Sequence, residues 1–170
     1  MVKSTELLSF DTICRIAYDL KRNGKRIGFT HGAFDLFHYG HLNFLYKTAQ
    51  KCDFLVVGID CDENIKKYKS YARPIIGEDQ RLRIINELNC VNASFINKWG
   101  IEDVWIDLGK ELKPDFLFIG GEYGKPADRL RREVDKIGAK LIRTRHEFET
   151  TTDIVKRIIK SQSRIYPAID

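Results

Sequence analysis

The run Phe54-Leu55-Val56-Val57-Gly58-Ile59 contains no polar residue. A strand that can give neither face to water belongs inside a sheet covered on both sides, which in practice means a parallel one. Four further strand-length runs, at 26–30, 93–96, 116–119 and 140–143, alternate with longer stretches. In those stretches (42–51, 78–88, 101–112, 127–137 and 151–161) apolar residues recur at helical spacing. Five-fold alternation of strand and helix specifies an α/β fold, a Rossmann-like doubly wound sheet of about five parallel strands with helices on both faces. Residues 5–23 read as an amphipathic helix that Asn23-Gly24 ends. The expected organisation is one domain over 1–170, with an N-terminal helix in 1–24 and a core in 25–161. Residues 60–77 are rich in charge and read as a long polar connection, and long loops in compact domains are usually functional.

Composition narrows the function classes. With 43% hydrophobic and 31% charged residues over 170 positions, the chain has enough apolar material to bury a core and is not a disordered polymer. No apolar run approaches the ~18 residues of a membrane span, so no membrane partner is expected. The first residues, with Lys3, Glu6 and Asp11, lack the apolar core of a signal peptide, and a cytoplasmic location is expected. The four cysteines are scattered without a C-x-x-C pair, unlike a zinc cage or redox dithiol. The net charge of +5 comes from short basic runs, not interleaved with aromatics, so no nucleic-acid partner is expected.

Ligands of such sheets bind beyond the carboxyl ends of the strands, near the point where strand order reverses. That rule selects the loops 30–41, 60–77, 120–125 and 144–152. The first reads T-H-G-A-F-D-L-F-H-Y-G-H and holds three of the four histidines, His31, His38 and His41. It is a strand-to-helix turn, and a helix N-terminus attracts anions through its unpaired N–H groups and its positive dipole end. Gly32 stands where a tight turn is expected, and Gly40 would let a phosphate approach the backbone. His38 and His41 can donate hydrogen bonds to phosphoryl oxygens. Two other chemistries fit these residues: a metal held by the three histidines, or imidazoles that simply cap the turn. A G-x-G-x-x-G dinucleotide turn, a phosphate loop ending Gly-Lys-Ser/Thr and a G-x-S-x-G nucleophile elbow are all absent.

The loop resembles the G-x-F-D-x-x-H-x-G-H signature of the cytidylyltransferase-like nucleotidyltransferases. Three more stretches follow in that family's order. Asp62 with Lys66 and Lys69 resembles its lysine-bearing segment, and residues 73–81 its R-P-x-x-x-x-E-x-R stretch, with Asp79 at the usual Glu. Gly120-Gly121-Glu122-Tyr123 is similar to its G-G-D-Y loop, and 150–154 to its S-T-T-x-I helix start. The resemblance implies transfer of a nucleoside monophosphate from an NTP to a small phosphorylated acceptor, with release of pyrophosphate. It implies catalytic roles for His38, His41, Lys69 and Lys47. Thr30, Gly32, Ala33, Phe34, Gly40, Asp62, Gly121, Arg145, Thr150, Thr151 and Thr152 would bind the nucleotide, and Asp35, Arg73 and Arg81 the acceptor. Mg²⁺ would arrive with the triphosphate, and no dedicated metal ligands are expected. Relatives imply a homodimer.

Among family members, the expectation is CTP with glycerol 3-phosphate or a similar polyol phosphate. The alternatives are ATP with a sugar (heptose) phosphate or FMN, and a non-catalytic nucleotide-binding module. Phe148 stands where the cytidylyl branch carries glycine. Residues 114–123 and 66–73 look closer to the heptose-phosphate adenylyltransferase pattern.

Overall fold

In a computed structural model, the residues described are 7–100, 104–120, 127–144 and 148–165. The strands are β1 (Ile27–Gly32), β2 (Phe54–Asp60), β3 (Ala93–Asn97), β4 (Phe116–Gly120) and β5 (Lys140–Thr144). The helices are α1 (Phe10–Arg22), α2 (Tyr39–Ala49), α3 (Asp62–Tyr68), α4 (Glu78–Asn86), α5 (Val104–Leu112), α6 (Ala127–Lys136) and α7 (Thr151–Ile165). All strand pairings are parallel and the sheet order is β3-β2-β1-β4-β5. The chain therefore works outward from β1 to β3, then crosses back to β4. The reversal falls between β1 and β4, with their carboxyl ends side by side.

Alternation along the strands sends side chains to two cores. Val56 joins Ile27, Phe29, Phe95, Leu117 and Ile119 on one face, under α1 (Ile13, Ala17), α5 (Leu108, Leu112) and α6 (Val134). Leu55, Val57 and Ile59 face the other way and pack with Leu45 of α2 and Leu82 and Ile85 of α4. Helix α1 is thus part of the first core, not an appendage to it. Packing is so close at Gly28 that a Cβ there would lie 2.6 Å from Cys52 Sγ and 2.8 Å from Phe118 Cε2.

Two local expectations change. Residues 62–68 are helical, not a loop. The helix is hard to see in sequence because Ile65 is its only buried apolar anchor. Its other support is electrostatic: Asp62 and Glu63 open it, Lys66 and Lys67 close it, and Lys67 pairs with Glu63 at 2.6 Å. The tight turn after β1 is made by Phe34 (φ 48°) and Leu36 (φ 47°), whereas Gly32 ends the strand without a positive φ.

Candidate active site

Helix α2 begins at His38, which is its N-cap in extended conformation. The imidazole folds back and its Nδ1 accepts the Gly40 N–H at 3.1 Å. With Nδ1 an acceptor, the ring proton sits on Nε2, which faces the Thr151 hydroxyl at 3.4 Å. Gly40 is required by this fold-back, since a Cβ there would lie 2.8 Å from His38 Cε1 and 3.3 Å from the Glu149 carbonyl. The His41 ring stacks beside His38 with centroids 3.9 Å apart and is flanked by Phe34 and Phe37.

The start of α7 abuts the same point. Thr150 caps it: its N–H and hydroxyl both donate to the Asp153 carboxylate, and its hydroxyl accepts from Asp153 N–H. The Thr151 hydroxyl donates to the Asp35 carbonyl at 3.1 Å and lies 3.4 Å from His38 Nε2. Thr152 is exposed in the first turn. Two helix N-termini, α2 and α7, therefore converge on His38, with the Gly40 and His41 N–H groups of α2 taken by His38 itself. Their dipoles add on one spot, a place built for an anion.

Cations line the β2 side. The Arg73 guanidinium pairs with buried Asp35 at 2.7 Å, and the Asp35 carboxylate also accepts the N–H groups of Ile75 and Ile76. Desolvation alone would raise the Asp35 pKa, but those N–H groups and Arg73 outweigh it and hold the carboxyl below its ordinary range. Lys69 follows α3. Desolvation of its ammonium, then the Arg73 charge, lower its pKa despite the opposing pull of Asp35 and Asp60.

Asp60, the carboxylate that closes the apolar strand β2, is the buried hub beneath these groups. Its Oδ1 receives His31 Nδ1 and Asn97 Nδ2, both at 2.9 Å, and its Oδ2 receives the Tyr68 hydroxyl at 2.9 Å. Desolvation opposes ionisation here as well, but the His31 charge and these hydrogen bonds prevail and the pKa is lowered. His31 is thus committed to Asp60. Among the described residues no group of three or more His, Cys, Asp or Glu side chains could hold a metal ion.

Several expected roles change. Arg81, expected to reach the acceptor, is 1% exposed. It donates to the carbonyls of Ile76, Ala33 and Asp60 and to the Asp62 carboxylate, tying the ends of β1 and β2 to α3 and α4. Asp62 is correspondingly taken up by Arg81 at 2.6 Å, and its N–H by Glu78. The Asp35 carboxylate, expected on the acceptor, is here held by Arg73 and by the N–H groups of Ile75 and Ile76. The Thr30 hydroxyl donates to the Phe118 carbonyl inside the sheet at 2.9 Å. Thr150 is a cap. Lys47 sits in the last turn of α2, nine residues beyond His38 and about 13 Å along the helix axis, toward the opposite edge of the sheet. What the structure does bring together is His38, His41, Gly40, Thr151, Lys69 and Arg73, with Thr152 at the edge and Gly32, Ala33 and Phe34 beneath. Gly121 and Arg145 lie outside the described residues. Sequence reasoning overlooked Asp60, Tyr68 and Asn97. Its available signal was Asp60 itself, since a carboxylate that ends an all-apolar interior strand must find buried donors.

Residues 29–163 match the family model described as Cytidylyltransferase-like. The bifunctional protein HldE of Pelobacter propionicus is 35% identical over 144 residues, 84% of this chain and 29% of that protein. Its namesake in Helicobacter pylori is 37% identical over 149 residues, 85% of this chain and 30% of that protein. The chain therefore spans about 30% of the length of these relatives. Among solved structures, the lipopolysaccharide core biosynthesis protein of Thermoplasma volcanium superposes with a TM-score of 0.61 at 26% identity, over 75% of this chain and all of that one. Pantoate-beta-alanine ligase of Francisella tularensis, solved with an ATP analogue and beta-alanine, gives 0.62 over 95% of this chain and 77% of that one. At 18% identity the latter is a likeness of fold alone. No helix among the described residues is long and apolar enough to cross a membrane.

Proposed function

The chain belongs to the cytidylyltransferase-like nucleotidyltransferases, and on that premise we propose that it transfers AMP from ATP to a sugar phosphate of the heptose 1-phosphate class, giving an ADP-sugar and pyrophosphate. The observation that carries the transfer chemistry is the convergence of the α2 and α7 N-termini on His38, facing Lys69 and Arg73. The relatives named HldE favour adenylyl over the cytidylyl transfer expected from sequence, as do residues 66–73 and 114–123. Phe148 in place of the cytidylyl branch's glycine points the same way.

In this reading the triphosphate lies across the helix N-termini. His38 Nε2–H and His41 donate to the α-phosphate oxygens, which crowd as the fifth oxygen arrives. Thr151, Thr152 and the first N–H groups of α7 take the β- and γ-phosphates. An acceptor phosphate oxygen attacks the α-phosphorus, the bond to the bridging oxygen breaks, and pyrophosphate leaves with that electron pair. No covalent intermediate on the protein is required, so rate comes from positioning and from charge stabilisation. Lys69 and Arg73 balance the charge gathered by two phosphorylated substrates. The donors at this mouth are N–H groups and cations, while the nearby carboxylates Asp35, Asp60 and Asp62 are each held by protein donors. That set suits phosphate and leaves Mg²⁺ to enter on the triphosphate, where it would offset negative charge.

The test is pyrophosphate release from ATP and from CTP, each with heptose 1-phosphate, glycerol 3-phosphate and FMN. Release with ATP and the sugar phosphate is expected. Release only with CTP and a polyol phosphate would restore the cytidylyl reading. Nucleotide binding without release from any pair would make the chain a binding module.

A further inference from the structure

We propose that Tyr68 is a positioning residue that latches Lys69 over the anion site by hydrogen-bonding its hydroxyl to the buried carboxylate of Asp60. The inference rests on the nucleotidyl-transfer reading for its catalytic consequence, but not for its structural content.

Helix α3 has seven residues, too few to hold itself in place. Its first turn is fixed by Asp62, through Arg81 and Glu78, and its middle by Ile65 in the core and by Asn64 Nδ2 on the Trp99 carbonyl. The last turn, which delivers Lys69, is tied to the sheet by Tyr68 Oη, which donates to Asp60 Oδ2 at 2.9 Å. The acceptor is rigid. The Asp60 side chain is 4% exposed and is held on its other oxygen by His31 of β1 and Asn97 of β3. Three adjacent strands thus fix the point on which Tyr68 hangs. Tyr68 itself is 38% exposed, so the hydroxyl reaches inward from a half-open ring. Lys69 Nζ lies 6.0 Å from the centre of that ring, close enough for the ring to guide the ammonium.

The consequence is electrostatic. Where the latch holds Lys69, its ammonium is desolvated and meets Arg73 and Arg81 as repulsive neighbours, against the pull of Asp35 and Asp60. Phosphate binding adds the missing negative charge. Without the latch, the ammonium swings to water and regains ordinary lysine behaviour.

The experiment compares wild type with Tyr68→Phe, using Tyr71→Phe at the 94% exposed neighbour as control. Reductively ¹³C-methylated protein, with Lys69→Arg to assign the signal, gives the Lys69 titration without any nucleotide. Trypsin cleavage after Lys69 reports how freely the segment opens. In Tyr68→Phe the Lys69 titration should rise toward that of an exposed lysine and cleavage should quicken about tenfold, the equivalent of one hydrogen bond to a charged group. With ATP and the acceptor, kcat should fall about tenfold while KM for ATP stays within about twofold, and the alkaline limb of the rate profile should move to higher pH. Unchanged titration and cleavage in a folded Tyr68→Phe protein would overturn the latch. If wild type shows no turnover with any nucleotide, the function proposed above falls, and the titration and cleavage still decide on Tyr68. Should Tyr68→Phe fail to fold, Asn97→Ser loosens the same carboxylate from the opposite side and is read by the same two nucleotide-free measurements. A raised Lys69 titration with faster cleavage then supports the latch, and no change in either overturns it.

Discussion

Replacing Gly40 by alanine separates the architecture of the anion site from its chemistry. The added Cβ would fall 2.8 Å from His38 Cε1, 3.0 Å from Nδ1 and 3.3 Å from the Glu149 carbonyl oxygen. The backbone carbonyl needs to yield only a few tenths of an ångström, whereas the imidazole can rotate away, so the ring moves. Its departure breaks the 3.1 Å bond from Gly40 N–H to Nδ1 and with it the side-chain cap of α2. Loss of a cap costs about 1 kcal/mol. Alanine's better helix propensity offsets up to about 1 kcal/mol of that. For a chain of 170 residues, the melting temperature should therefore move by no more than about 4 °C. Turnover should fall on the order of 100- to 1000-fold, the usual effect of removing one preorganised donor from a developing oxyanion. The assay is pyrophosphate release at saturating nucleotide beside a thermal melt, repeated on His38→Ala and on the double variant. Because the glycine acts only through the ring, the double variant should be no slower than His38→Ala alone. Multiplying losses, or a Gly40→Ala enzyme within about fivefold of wild type, would refute the reasoning.

Three other expectations follow from packing and charge. Gly28→Ala drives a methyl into Cys52 Sγ and the Phe118 ring, so chemical denaturation should show a loss of about 1–3 kcal/mol. Arg81→Met leaves three carbonyls and the Asp62 carboxylate without their donor, so the same measurement should show about 3–5 kcal/mol lost. Retention of full stability would mean that Arg81 is not the tie between β1, β2 and α4. Asp35 has a folded pKa held below its unfolded value of about 3.9 by Ile75, Ile76 and Arg73 against desolvation. It therefore contributes stability that is complete above that value and is lost as pH falls through the lower folded pKa. Stability measured below about pH 4 should decline less steeply in Asp35→Asn than in wild type, even though that variant is weaker at neutral pH.

The fold was legible because its signals are long and redundant. The apolar run in β2 demands cover on both faces, and each crossover helix advertises its buried stripe, as with Leu82 and Ile85 in α4. The place of the candidate site was proposed from the same signals, since it follows from where a parallel sheet reverses. The roles of individual side chains were harder to read. Charged and hydroxyl residues near a strand end carry no periodicity to tell a ligand from a scaffold, and the same residue type serves both. Thr151 faces His38 while Thr150, one residue earlier, spends its hydroxyl on Asp153. Arg73 and Arg81 stand eight residues apart in one motif, and only burial distinguishes a cation beside the mouth from one sealed beneath it.

That division has a physical cause. An anion site made of N–H groups and cations is self-repelling until its ligand arrives, so it needs a carboxylate scaffold to hold it together in the meantime. Asp35 does this for Arg73, Asp60 for His31 and Tyr68, and Asp62 for Arg81. Each of these acids lies at or just beyond the end of β1 or β2, in the loops that sequence alone would assign to substrate. Their carboxylates would repel a triphosphate if they faced it. Asp35 holds Arg73 beside the mouth, while Asp60 and Asp62 hold His31 and Arg81 beneath it. The acids of this loop cluster are therefore taken up by protein donors, Asp35 by Arg73, Asp60 by His31, Asn97 and Tyr68, and Asp62 by Arg81. The residues to mutate as a test of the proposed transfer are His38, His41, Lys69 and Thr151.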